Sequence, residues 1–110
     1  MSDGRAGAPA PPIALPDPLV LERTASLLQV VAHPVRLLVL CVLEREGALS
    51  AGDLQDRVGI EASALSHHLR LLRDARLVRV QPQGRHRIYT LDDPHVAAIV
   101  RDAIDHVGEV

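Results

Sequence analysis

The sequence predicts a mainly α-helical fold with a β-hairpin wing: a winged helix-turn-helix domain that forms a homodimer through its terminal helices. Two helices are joined by a tight turn that contains glycine, and the apolar period then changes from about 3.6 residues to about 2. The chain has one Tyr and no Phe or Trp, so Leu, Val, Ile and Ala must build the core, which favours small packed helices. At 110 residues it makes one domain with a modest core, which a second subunit would enlarge.

The N-terminal segment, residues 1–16, is rich in Pro, Ala and Gly, and we expect it to be a disordered arm. The folded domain is predicted to span residues 17–110. The arm has no apolar run long enough for a signal peptide or a membrane span. The single Cys41 excludes an intrachain disulfide framework and a multi-cysteine zinc ribbon, so we expect a cytoplasmic protein. Cys41 lies in an apolar run and is interpreted as a small core residue.

Two helices are predicted before the helix-turn-helix. Asp17 is typical of an N-cap and Pro18 of a first helical position, and the apolar spacing that follows fits a helix to about Ala32. Pro34 starts a second helix that is nearly all apolar and therefore buried. Gly47 is expected to end it.

The helix-turn-helix comes next. Ser50 and Asp53 resemble a capping box that starts a short helix, which runs through Val58 and ends at Gly59. A second helix is predicted over residues 61–75, with leucines on one face. Its other faces carry Ser63, Ser66, His67, Arg70 and Arg73. Two helices in this order, with the second one basic on its outward side, predict a DNA-reading element.

The β-hairpin wing is predicted after Arg76, where the apolar residues begin to alternate. Val78 and Val80, and then Ile88 and Thr90, alternate with Arg79, Gln81, Arg87 and Tyr89, which predicts two paired strands. The predicted tip, residues 81–85, contains a proline, a glycine suited to positive φ, and Arg85. A positive charge at this place is expected of a wing that touches DNA phosphates.

Charge is unevenly distributed along the chain. The net charge is −2, but residues 61–90 hold six arginines against two acids, which leaves +4 there and −6 in the remainder. This asymmetry is typical of a DNA-facing segment on an acidic body. We expect base contacts from Ser63, Ser66 and His67. We expect phosphate contacts from Arg70, Arg73, Arg85 and Arg87. Each could instead be an ordinary surface residue, and His67 or His68 a packed one.

Potential metal ligands lie at both ends of the last helix, which is predicted to start at Asp93. His95 and His106 lie within about 20° on one helix face but about 16 Å apart along the axis, so one ion cannot bind both. An antiparallel partner helix would bring Asp93 and His95 of one chain against His106 and Glu109 of the other. A two-fold dimer would then hold two N₂O₂ sites, which suit Zn²⁺, Co²⁺ or Ni²⁺.

Other interpretations of this helix stay open. Asp93 could simply be the helix N-cap, and Glu109 could lie beyond a helix that ends at Gly108. The chain could then be a winged-helix regulator that does not respond to metal, or a protein-interaction module. A metal-dependent hydrolase is disfavoured because it needs an open coordination position, a general base and a substrate pocket, so we expect no enzyme activity.

Three stretches resemble the ArsR/SmtB family of winged-helix metalloregulators: AHPVRLLVL (32–40) its second helix, SALSHHLRLLRDARLV (63–78) its recognition helix and GRHRIYTL (84–91) its wing. LDDPHVAAIVRDAIDHVGE is similar to the D-x-H plus H-x-x-E/H pattern of the branch that senses zinc at the last helix. The resemblance covers residues 18–110. It implies the ligands Asp93, His95, His106 and Glu109, with glutamate at 109 where other members have histidine.

The resemblance also implies a metal-responsive repressor and argues against a sensor that binds soft metals through thiolates. Members with a thiolate site carry Cys-x-Cys near the start of the helix-turn-helix, where this chain has Ser50 and Gly52, so a soft-metal sensor of that kind is not expected. The implied mechanism is an apo dimer that binds an operator and loses DNA affinity when Zn(II) or a similar divalent metal binds. One implied route runs from a ring nitrogen of His106 to a backbone carbonyl near the recognition helix.

Overall fold

The computed structural model describes residues 14–109, which form five helices and one antiparallel sheet of strand order β1-β3-β2. The elements are α1 (Pro18–Val31), α2 (Pro34–Glu46), β1 (Leu49–Ser50), α3 (Ala51–Val58), α4 (Ala62–Asp74), β2 (Val78–Gln83), β3 (His86–Leu91) and α5 (Pro94–Gly108). This order confirms the predicted winged helix-turn-helix fold. The short β1 was not predicted. The expected disordered arm lies outside the described residues, except for residues 14–16, which are exposed.

Local signals set the helix boundaries. The Asp17 carboxylate accepts the Leu19 N–H at 2.8 Å, which caps α1 as the sequence predicts. The Ser50 hydroxyl accepts the Asp53 N–H at 3.1 Å and caps α3. Gly59 ends α3 in the left-handed conformation at φ +77°, which lets the chain turn directly into α4.

The core lies around α2. Val39, Leu40 and Leu43 of this helix are almost fully buried, at 0–1% exposure, and α2 contacts α3, α4, α5 and β3. Leu54, Leu72, Leu77 and Val78 are buried to the same degree. Burying each such side chain contributes roughly 1.5–3 kcal/mol relative to leaving it exposed. Cys41 is half-buried against this core, and burial raises the pKa of its thiol.

The wing has the two predicted strands, and their cross-strand pairs show which side chains share a face. Val80 pairs with Tyr89 and Val78 with Leu91, and Tyr89 is buried at 6% exposure. Because faces alternate along a strand, Ile88 and Thr90 lie on the opposite face from Val78, Val80 and Tyr89. The Tyr89 ring offers more apolar area to the core than Thr90 does, and Leu49 of β1 pairs beside it.

The hairpin tip is shorter than predicted. Pro82 and Gln83 belong to β2, where they pair with Arg87 and His86, so only Gly84 and Arg85 connect the strands. Gly84 has φ +62°, which a two-residue hairpin turn requires at its first position. Arg85 is therefore placed at the end of the wing.

The terminal helices leave apolar side chains uncovered. The apolar side chains of α5 fall into a buried and an exposed group: Val96, Ala97 and Val100 are buried on the side that packs against α2. Large apolar side chains are exposed in α1, just before it and on the other side of α5, at 42–80% exposure: Leu15, Leu19, Val20, Leu21, Leu28, Ile99, Ile104 and Val107. By length and composition, no single helix among the described residues passes as a membrane span, and α1 with α2 passes only as a pair bent by 90°.

Candidate DNA interface and candidate metal centre

The recognition helix of the helix-turn-helix is α4. Leu65, Leu69 and Leu72 are buried at 0–2% exposure and fix α4 on the core. Ser63, Ser66 and His67 are exposed, as are the arginines at 70 and 73. The predicted amphipathic character of this helix is thus confirmed, with its polar side chains presented to solvent.

A cleft of roughly 400 Å³ lies between α4 and the wing. It is lined by Ser63, Ser66, His67, Arg70, Arg73, Arg87 and Tyr89. Six of the seven predicted DNA contacts therefore share one concave surface, and Arg85 lies apart from it at the hairpin turn. Three arginines and no carboxylate line this part of the described chain, so the cleft attracts anions such as DNA phosphates.

Sequence reasoning did not include Tyr89 among the residues of the DNA interface. The pleat places Arg87 and Tyr89 on the same face, so the register that buries the Tyr89 ring also directs Arg87 toward α4. Composition is the signal that could have revealed this position. Tyr89 is the only aromatic ring of Phe, Tyr or Trp type in the chain, so its large apolar surface is expected against the core.

The two neighbouring histidines of α4 have different surroundings. His67 lines the cleft, whereas His68 is half-buried, with its ring centroid 4.5 Å from that of His33. The His68 Nδ1 lies 3.3 Å from a guanidinium nitrogen of Arg36. Burial lowers the pKa of His68 from its ordinary value, and His33, Arg36 and His67 add to this effect. Of the two, His68 is the packed histidine that the sequence left undecided.

At the start of α5, one carboxylate oxygen has two partners. The Asp93 Oδ1 accepts the backbone N–H of His95 at 2.8 Å, so Asp93 is the helix N-cap. The same oxygen lies 2.8 Å from the Nδ1 of His95, whose side chain is 90% exposed. The hydrogen bond from the backbone N–H of His95 lowers the pKa of Asp93, and the one from the His95 ring lowers it further. Asp93 is therefore held as a carboxylate beside an accessible imidazole.

At the other end of α5, the helix continues through Gly108. Glu109 keeps right-handed helical angles, with φ −78° and ψ −2°, and its N–H reaches the Asp105 carbonyl at 3.2 Å. Glu109 is thus the C-cap that follows the last helical residue, Gly108, in agreement with the alternative that places Glu109 beyond the helix end. His106 and Glu109 are exposed and stand three residues apart on one helical backbone, so both can approach a single ion.

The chain does not bring these two pairs together. Among residues 14–109, no group of three or more His, Cys, Asp or Glu side chains is arranged to hold a metal ion. Asp93 and His95 lie at the first turn of α5, and His106 and Glu109 lie at its last turn. Each end of α5 thus carries one imidazole and one carboxylate, and their role as metal ligands stays a prediction.

The chain is similar to known transcriptional regulators over most of its length. A helix-turn-helix domain model matches residues 31–81. The HTH-type transcriptional regulator NmtR of Mycobacterium tuberculosis is 43% identical over 95 residues, which are 86% of this chain and 78% of that protein. The HTH-type transcriptional repressor SmtB of the same species is 35% identical over 103 residues, 93% and 76% of the two chains. The crystal structure of the antimony-specific transcriptional repressor AntR superposes with a TM-score of 0.79 at 26% identity, covering 99% of this chain and 95% of that one.

Proposed function

Because the chain belongs to the ArsR/SmtB family of winged-helix transcriptional regulators, we propose that it is a dimeric repressor whose operator binding is weakened by zinc or a similar divalent metal. The observation that carries the proposal is the pair of complementary half-sites at the two ends of α5. The protein acts in the cytoplasm, without enzyme activity, and its ligands are operator DNA and the metal ion.

DNA binding is assigned to the cleft between α4 and the wing. Ser63, Ser66 and His67 reach base edges from the exposed face of the recognition helix. The arginines contact phosphates: Arg70, Arg73 and Arg87 from the cleft, and Arg85 from the wing tip. Burial of Leu65 and Leu69 holds α4 on the core, which supports this role because the reading side chains on its other face are then turned to solvent.

Dimerisation is assigned to the exposed apolar faces of α1 and α5. Ile99, Ile104 and Val107 are 42–67% exposed on α5, and leucines and a valine are similarly exposed along α1. Many large apolar side chains left exposed on two helices are typical of a protein–protein interface. A two-fold axis that packs α5 antiparallel to its copy covers these side chains and brings Asp93 and His95 of one protomer to His106 and Glu109 of its partner.

The residues at the start of α5 fit a metal ion. The Asp93 Oδ1 and the His95 Nδ1 are 2.8 Å apart, and two ligands of a tetrahedral zinc ion at about 2.1 Å lie about 3.4 Å from each other. A separation larger by about half an ångström, with the ring proton moved to Nε2, lets both atoms bind one ion. His106 and Glu109 supply a second imidazole and carboxylate. When bound, the ion supplies a link between subunits that fixes the angle between the two protomers.

The connection between α5 and the DNA-reading element runs, in this proposal, through the last turn of α2. Arg101 of α5 lies 3.3 Å from the Glu44 carboxylate of α2. Two residues further along α2, Glu46 accepts hydrogen bonds from the Arg57 Nε of α3 at 3.0 and 3.1 Å. A rotation of α5 is therefore passed to α3, the first helix of the helix-turn-helix. The route through the second ring nitrogen of His106 stays a prediction.

The test is a fluorescence-anisotropy titration of the metal-free protein onto the DNA upstream of its own gene, with and without saturating zinc. We expect zinc to weaken binding about tenfold or more, which is about 1.4 kcal/mol of coupling, and to have no effect on His106→Ala. Asp105→Asn is the matched control, because Asp105 is exposed on the same turn and is not assigned to the metal. Zinc-independent DNA binding by the unaltered protein would instead identify a winged-helix regulator that does not respond to metal.

A further inference from the structure

Arg36 and His68 form a contact between α2 and the back of the recognition helix, which we call the Arg36–His68 junction. The Arg36 Nη1 lies 3.3 Å from the His68 Nδ1. The Nε of the same guanidinium donates to the Val30 carbonyl at 2.5 Å, near the end of α1. The His33 ring lies against His68, and its Nδ1 accepts the Val35 N–H at 3.1 Å as the N-cap of α2. One small cluster thus joins α1, α2 and α4.

The chemistry of the junction fixes where the His68 proton lies. An arginine guanidinium only donates hydrogen bonds and stays charged at any relevant pH, so the His68 Nδ1 must accept with its lone pair. The neutral ring then carries its proton on Nε2. A second proton can enter only at Nδ1, where it removes the acceptor and places a cation beside the Arg36 cation. Proton uptake and the junction are therefore mutually exclusive.

The charged and titratable groups that face His68 all oppose its protonation. They are His33 and Arg36 from α2 and His67 on α4 itself, and their effects add to burial in lowering the pKa of His68. From α1, the Val30 carbonyl reaches the cluster through Arg36, and the charged Arg23 lines a separate cleft with Asp74 and Arg76 near the end of α4. From the wing, Arg87 lines the DNA-facing cleft beside His67.

We propose that Arg36 and His68 are positioning residues for the recognition helix, and that proton uptake at the His68 Nδ1 breaks their contact and lowers the affinity for operator DNA. This inference rests on the proposed DNA binding. Without the junction, α4 loses its polar tie to α2 and to the end of α1, while Leu65 and Leu69 still hold it on the core. The expected result is a helix of looser orientation in a protein that remains folded.

The sign of the pH dependence follows from the direction of the pKa shift. A histidine whose pKa is lower in the folded protein takes up its proton at a lower pH than it does in the unfolded chain. The junction is therefore complete above the ordinary pKa of 6.5 and is lost as the pH falls through the lowered value. Operator affinity falls in the same direction, whereas a surface histidine that simply gained charge near DNA would raise it.

Two measurements on the full-length dimer test the junction. Ring-proton NMR titration should show that His68 titrates below its ordinary value, and that its pKa rises in Arg36→Gln, which removes the opposing charge. Anisotropy with the upstream DNA, at about pH 7.5 and at about one pH unit below the His68 midpoint found by NMR, should show an acid-dependent loss of affinity at least about threefold larger in the unaltered protein than in His68→Asn. The side-chain amide oxygen that this substitution introduces takes the place of Nδ1 as an acceptor but does not titrate.

His67→Asn is the matched control. His67 lines the cleft, so this change alters the affinity at every pH. Because His67 also opposes protonation of His68, the extra loss in acid should be preserved or larger in this variant. Equal acid dependence in the unaltered protein and in His68→Asn would overturn the proposal. If the unaltered protein binds no DNA even at neutral pH, the proposed function fails, and NMR alone then decides the junction: an unchanged pKa of His68 in Arg36→Gln would refute it.

Discussion

The Asp93 Oδ1 accepts the backbone N–H of His95 and faces the Nδ1 of the same residue, both at 2.8 Å. One carboxylate oxygen therefore caps α5 and holds the ring of a proposed metal ligand. The Asp93 side chain thus has two proposed roles, helix cap and metal ligand, and the two roles need different chemical groups. A cap needs an oxygen that accepts a hydrogen bond, whereas a zinc ligand of this kind needs a carboxylate.

This difference predicts that Asp93→Asn and Asp93→Ala separate the two roles. Asn is as good an N-cap as Asp, so Asp93→Asn should unfold at nearly the same urea concentration as the unaltered protein but bind zinc about 10-fold to 100-fold more weakly. Asp93→Ala should lose both properties. Urea denaturation of the metal-free proteins and competition with a chelating zinc indicator measure them. Unchanged zinc affinity in Asp93→Asn would mean that Asp93 is a cap and nothing more.

The wing offers a matched pair of arginines for testing the DNA interface. Arg87 lines the cleft beside α4, whereas Arg79 lies on the opposite face of the hairpin, 4.0 Å from the Asp92 carboxylate. We expect Arg87→Ala to weaken DNA binding and to reduce the slope of log affinity against log salt concentration by about one. Arg79→Ala should leave that slope unchanged. Equal effects from the two variants would place the DNA on a different surface of the wing.

The same strand shows where prediction from the sequence was limited. Helix boundaries came out close to the predictions because their signals are local, as in the capping of α1 by Asp17 and of α3 by Ser50. The face of β3 depends instead on which residues stand opposite it, and Leu49 and Val80 both pair with Tyr89 across chain segments that a local pattern does not relate.

The same difference separates the half-sites of α5, which the sequence predicts, from the Arg36–His68 junction, which it does not. The half-sites of α5 follow from helical spacing alone, so the sequence contains them. The Arg36–His68 junction joins residues 32 positions apart, and no periodicity relates them. The contact exists because α2 and α4 pack together around shared leucines, so only the folded chain reveals it.

Dimer formation and metal binding should fail together when the apolar face of α5 is disrupted. Ile104→Arg places a charge at an exposed position between the two half-sites. We expect monomers in sedimentation-velocity experiments and a zinc affinity reduced about 100-fold, although every proposed ligand is intact, because one protomer holds only two of the four ligands. Asp56→Arg is the control, since it adds an arginine at an exposed position of α3, away from both terminal helices. A variant that is monomeric yet binds zinc at full affinity would contradict the inter-subunit site.

The ion pair between Arg101 and Glu44 provides a test of how α5 communicates with the DNA-reading element. Their side chains are 51% and 29% exposed, so the pair contributes at most about 1 kcal/mol to folding and can be altered without unfolding the protein. Arg101→Glu places two carboxylates together and should reduce the effect of zinc on DNA affinity while leaving zinc binding itself nearly unchanged. The exchanged pair, Arg101→Glu with Glu44→Arg, should restore the coupling. Anisotropy titrations with and without zinc on the three variants, including Glu44→Arg alone, give the coupling free energy for each. If both single variants keep the full zinc response, the signal passes from α5 by another contact, and the His106 ring becomes the next residue to test.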